Sequence, residues 1–144
     1  MQISLLLFFF FCLSVTADDY GNTIATASLI TIGQGISGSI ETGGDIDMFK
    51  IKLMAGRTYV ITMESSFDNH SDLFDGSGTK LAQGTDQIGS NGVITFTPSS
   101  TAYYYVQCIA YSSSDTGPYN FATADINTCT DSCTSIFLLI ERVC

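Results

Sequence analysis

From Ser37 onward the sequence steps between apolar and polar residues with a period of two, in short runs broken by Gly, Asn, Asp and Ser. Residues two apart share one face of an extended chain, so the pattern specifies half-buried strands, and no long helical stretch interrupts it. Eight strands are predicted: Ile36 to Glu41, Met48 to Leu53, Thr58 to Met63, Ser71 to Phe74, Thr79 to Gln83, Val93 to Thr97, Tyr103 to Tyr111 and Tyr119 to Ala124. Phe49, Ile51 and Leu53 should face one side of the sheet, and Met48, Lys50 and Lys52 the other. Ala55-Gly56-Arg57 reads as the turn of a hairpin joining the second and third strands. Asp75-Gly76-Ser77-Gly78 and Gly89-Ser90-Asn91-Gly92 supply further turns, because Gly and Asn tolerate positive φ and short polar side chains bond back to the local backbone. Pro98 and Pro118 fall at strand boundaries, where a missing N–H does little harm. An antiparallel all-β sandwich of about eight strands is the expected fold class.

The first residues are of another kind. Ile3 to Val15 is almost unbroken apolar sequence and ends in the small residues Val15-Thr16-Ala17. That run is shorter than the roughly 20 residues a helix needs to cross a bilayer, so it reads as a secretory signal peptide cut after Ala17. The expected organisation is a signal peptide at 1–17, a β-sandwich at 18–125 and a Cys-rich tail at 126–144, with no membrane span after cleavage. The tail's apolar run Ile136 to Ile140 is too short to span. It reads as a disulfide-tied strand or cover over a sheet edge, or as a partner-binding tail. A secreted chain folds in an oxidising compartment. Of five cysteines, Cys12 leaves with the signal peptide, and Cys108, Cys129, Cys133 and Cys144 remain as disulfide candidates whose pairing the sequence leaves open. Zinc is a weaker alternative, since Cys129 and Cys133 have no second close pair and the single histidine, His70, is distant in sequence.

Fourteen acidic against five basic residues give a formal charge of −9. Phosphate binding needs clustered Lys and Arg, so no nucleic-acid partner is expected. An acidic surface suits either cation binding or plain extracellular solubility. Tyr103, Tyr105 and Tyr111 are candidate ligand-binding residues, because exposed tyrosines offer rigid amphipathic surface; the competing reading is cross-strand and core packing. Asn69-His70-Ser71 matches the N-glycosylation sequon and marks a surface loop. Catalysis finds no support. His70 has no nucleophile-elbow sequence to serve, there is no His-Glu-x-x-His segment, and fourteen acids contain carboxylate pairs with nothing to single one out.

Six pieces in order resemble the bacterial pre-peptidase C-terminal domain. They are Asp18 to Thr23, Gly35 to Glu41, Gly44-Asp45-Ile46-Asp47-Met48-Phe49, Leu53 to Tyr59, Leu73 to Ala82 and Tyr104-Tyr105-Val106. The resemblance covers Asp18 to about Ala124. It implies a β-sandwich of jelly-roll type, a non-catalytic module that accompanies secreted peptidases, and kinship with collagenase modules that bind calcium and collagen. Calcium takes six to eight oxygen ligands. On the resemblance, Asp18, Asp19 and Asn22 from an N-terminal arm and Asp45 and Asp47 from the turn before the Phe49 strand are the candidate ligands. The plain alternative is that these Asp and Asn residues are turn and cap residues. The expected function is a secreted, calcium-stabilised binding or targeting module, with a structural or interaction protein as the alternative and a small hydrolase as the third. Expected partners are an extracellular protein or polysaccharide, or a separate secreted peptidase.

Overall fold

The computed structural model of the chain describes residues 17–85 and 92–128. The expected signal peptide, the turn at 86–91, and Cys129, Cys133 and Cys144 lie outside the described residues. Nine strands are present among them: β1 (Ser28–Ile30), β2 (Gly35–Ile40), β3 (Ile46–Leu53), β4 (Tyr59–Ser65), β5 (Asn69–Phe74), β6 (Lys80–Thr85), β7 (Gly92–Phe96), β8 (Ala102–Ala110) and β9 (Gly117–Asp125). A 3₁₀ turn follows at Ile126–Thr128.

The strands form two sheets, ordered β1-β3-β8-β5-β6 and β2-β9-β4-β7. All pairings are antiparallel except β1 on β3. With β1 set aside, the chain folds back on itself so that β2 pairs with β9, β3 with β8, β4 with β7 and β5 with β6. That nesting is a jelly roll, as the sequence motifs imply.

The period of two decides what enters the space between the sheets. Phe49, Ile51 and Leu53 of β3 point inward and are buried, while Lys50 and Lys52 point out, as predicted. Tyr104, Val106 and Cys108 do the same from β8, and Ile61 and Met63 from β4. Phe49 and Phe121 stack across the gap with ring centroids 4.9 Å apart, and Tyr20 meets Phe49 edge-on at 4.8 Å.

Four expectations are corrected. Residues 54–58 do not close a hairpin: β3 and β4 belong to different sheets, and the connection crosses between them, held by the Met54 N–H donating to the Tyr59 hydroxyl at 3.0 Å. β1 was not predicted, because three residues are too few to display a period. Among the described residues Cys108 is a free thiol, at the centre of the sandwich, since alternation along β8 turns it inward; burial pushes its ionisation far above the ordinary thiol range. Asn69 is wholly buried at the start of β5, donating from Nδ2 to Ser65 Oγ at 2.8 Å, so the sequon does not mark an exposed loop.

An N-terminal arm covers the outer edge of β2. Asp19 Oδ2 accepts the Ser39 N–H at 3.0 Å, and the Tyr20 hydroxyl donates to the Ser37 carbonyl at 3.1 Å. These bonds satisfy groups that a bare edge strand would leave open to another chain.

Candidate metal centre

The arm continues past β2 to the start of β3, where the Met48 N–H donates to the Gly21 carbonyl at 3.0 Å. It thereby lies against the turn from Glu41 to Asp45. Gly44 holds φ at 86° in that turn, a left-handed conformation that glycine adopts without steric cost, and the Asp45 N–H closes it onto the Thr42 carbonyl at 3.0 Å.

Arm, turn and strand bring five carboxylates together. One oxygen each from Asp18, Asp19 and Asp47 lie within 4.8 Å of one another, and so do oxygens from Asp18, Glu41 and Asp45. Asp18 belongs to both sets and joins them. Asp45 and Asp47 each approach Asp18, in separate sets. Asn22 stands beside them, its amide 2.6 Å from the Ile46 carbonyl and 3.2 Å from both the Tyr20 carbonyl and Asp18 Oδ2. With its nitrogen turned to these oxygens the amide donates to them, which ties Asn22 to the arm and to the start of β3.

Some of these oxygens have partners and some do not. Asp45 accepts from the Glu41 N–H at 3.1 Å and the Ile46 N–H at 2.8 Å, as a turn residue does. Asp47 Oδ2 accepts a 2.5 Å bond from the Tyr119 hydroxyl. Asp47 Oδ1 and Glu41 Oε2 are buried with no hydrogen-bond partner. Two unit charges 4.8 Å apart repel by about 3 kcal/mol at an effective dielectric constant of about 20. The pKa shifts reflect this. Burial, chiefly, pushes Asp47 up to about 7, with the charges on Asp19, Asp45 and Glu41 adding to it and the Tyr119 bond opposing. Glu41 is pushed up to about 7 by burial first and then by its neighbours Asp45 and Asp19. Asp19 is raised too, mainly by burial.

The donor set is wholly oxygen, from carboxylates, an amide and backbone carbonyls. It fits a hard cation of high coordination number and not zinc, which favours nitrogen and sulfur. All five residues singled out in the sequence, Asp18, Asp19, Asn22, Asp45 and Asp47, come together here. Glu41 was missed; its signal is a carboxylate four positions before Asp45, across the turn. Tyr119 was missed as well, because nothing in sequence ties it to Asp47. Gly38 completes the arrangement, since a Cβ there would collide with the Tyr119 ring.

The tyrosines divide. Tyr103 and Tyr105 share the outer face of the five-stranded sheet, Tyr103 exposed and Tyr105 nearly buried. Tyr111 is exposed beyond the far end of β8, edge-on to His70. Asp75 accepts from Ser77 and Thr79 in its own turn and is a turn residue.

No family model and no curated protein matches the chain. Solved structures do. The crystal structure of the pre-peptidase C-terminal domain of collagenase from Bacillus anthracis superposes with a TM-score of 0.58 at 20% identity, covering 74% of this chain and 99% of that one. Aeromonas hydrophila PliG, a periplasmic lysozyme inhibitor of g-type lysozyme, gives 0.55 at 16% identity, covering 68% and 97%. These likenesses show a shared fold, and the first is the fold that the sequence motifs resemble.

Proposed function

We propose that this chain is a secreted, non-catalytic binding module whose N-terminal arm is fastened to the sandwich by a calcium ion. The observation that carries the reading is the meeting of five carboxylates around Asp18 with two buried oxygens, on Asp47 and Glu41, that have no hydrogen-bond partner. Asp18, Asp19, Asn22, Glu41, Asp45 and Asp47 would hold the ion, which would supply the positive charge that lets them ionise together. Extracellular calcium modules bind in the range of about 10⁻⁴ to 10⁻³ M, in keeping with this use outside the cell. Its ligand is an extracellular protein or polysaccharide, or a separate secreted peptidase. A protein partner accords with the two structural neighbours, a collagenase domain and a lysozyme inhibitor.

The test is thermal unfolding of the 18–144 chain with calcium and with chelator. Calcium at about one hundred times its dissociation constant should stabilise the fold by about 2.7 kcal/mol, and the gain should vanish in Asp18→Asn and Asp47→Asn. No shift at calcium up to about 100 mM would leave the alternative, an interaction sandwich in which the acids serve only as turn residues.

A further inference from the structure

The chain's few cations are not spread evenly. Arg57 pairs with Asp125, and Lys80 pairs with Asp72 at 2.7 Å. Among the described residues neither Lys50 nor Lys52 has a carboxylate within ion-pair distance. Both project from β3 onto the outer face of the five-stranded sheet, opposite Tyr105 and Tyr103 of β8. The Lys50 ammonium stands 4.5 Å from the centre of the Tyr103 ring and 5.8 Å from that of Tyr105. An acidic protein thus keeps two positive charges side by side with no carboxylate partner among the described residues, one of them resting on the exposed Tyr103 ring and near the buried Tyr105 ring.

Beside them the sheet ends in β1, three residues long and with its outer edge unpaired among the described residues. A cleft of about 260 Å³ opens there, lined by Leu29, Ile30, Thr31, Ile32, Lys52 and Tyr103. Leu29 is 67% and Tyr103 42% exposed, large apolar surfaces for a short edge. The walls are mainly apolar, with one cation at the rim and two side-chain hydroxyls, those of Thr31 and Tyr103, a lining that suits a hydrophobic side chain better than a sugar ring and its many hydroxyls. An open strand edge adds main-chain hydrogen bonding for an extended chain.

We infer that this face docks an extended acidic peptide segment of a partner protein, with apolar side chains in the Leu29–Tyr103 cleft and carboxylates on Lys50 and Lys52. The inference rests on the binding role proposed above and names the class of ligand. It makes the charge pattern intelligible: among the described residues, this is the face where cations without a carboxylate partner stand together and can offset repulsion from the acidic bulk of the chain.

The test measures binding of three labelled probes to the calcium-loaded chain. They are a short peptide alternating Glu with Phe and Val, its counterpart with Lys in place of Glu, and an oligogalacturonate. The acidic peptide should bind, and weaken by about tenfold in Lys50→Gln and in Lys52→Gln, as lost interfacial charge pairs do. Tyr103→Ser should weaken it as well, and Lys80→Gln should leave it unchanged. The basic counterpart should not bind. Equal affinity of the acidic peptide for the wild type and the Lys50 and Lys52 variants overturns the inference, as does absence of binding, or capture of oligogalacturonate in place of the peptide. The calcium shift in melting temperature is read on the same samples. Its absence would count against the metal centre, whereas lost peptide binding with an intact shift would count against this face alone.

Discussion

Removing calcium should invert the usual response of an acidic protein to pH. Asp47 is wholly buried, and its pKa rises from the ordinary 3.8 to about 7 in the folded chain. Between those values the folded state holds a proton that the unfolded state has lost. Stability is therefore fully present below the unfolded pKa and drains away as pH rises through about 7. At 1.36 kcal/mol per pKa unit, a rise from 3.8 to about 7 amounts to about 4 kcal/mol, an upper figure for Asp47 alone. Glu41 acts in the same direction, reduced by its partial exposure. The assay is urea unfolding from about pH 4 to about pH 8 in chelator, with the midpoint converted through the slope of the transition. Asp47→Asn keeps an acceptor for the Tyr119 hydroxyl and removes the titrating group, so most of the decline should disappear in that variant. Added calcium should restore stability at the alkaline end of the wild type. A flat profile in chelator, or an undiminished decline in Asp47→Asn, would refute the argument from burial.

Two further outcomes follow from the packing. Gly38→Ala should cost about 1 to 3 kcal/mol by forcing the Tyr119 ring aside, read from urea midpoints, and should weaken the calcium response by disturbing the Asp47 bond. Cys108 should resist iodoacetamide in the folded chain and react once urea opens the sandwich, as peptide mapping of the labelled protein will show; ready labelling of the native chain would contradict its full burial.

Much of this fold is legible in the residues, because alternation is a local property. The inward set Phe49, Ile51 and Leu53 follows from period alone. Partnership between strands does not. The Ala55-Gly56-Arg57 turn has hairpin chemistry, yet the decision to cross between sheets is made by where β8 and β9 dock, and nothing near residue 56 carries that information. The same division governs the metal centre. Asp18, Asp19, Asn22, Asp45 and Asp47 are picked out by the motifs that resemble the pre-peptidase C-terminal domain, whereas Tyr119 comes to Asp47 from 72 positions away in sequence and could be found only in three dimensions. The sequon at Asn69 misled for a related reason: its three residues fit a loop, but the strand pairing of β5 turns Asn69 and Ser71 to the inner face.

The nesting of strand pairs also orders events in time. β5 and β6 lie almost next to each other in sequence, whereas β2 meets β9 only after the chain between Ile40 and Gly117 has been gathered in. Closing so large a loop is slow, and contacts of that range form late. Tyr119 belongs to β9 and Asp47 to β3, so their bond should form with that last closure. Interactions absent from the folding transition state act on the rate of unfolding alone. A cation gripped at this seam would leave the speed of folding unchanged and lengthen the lifetime of the finished molecule, a durability of rate and not of equilibrium alone.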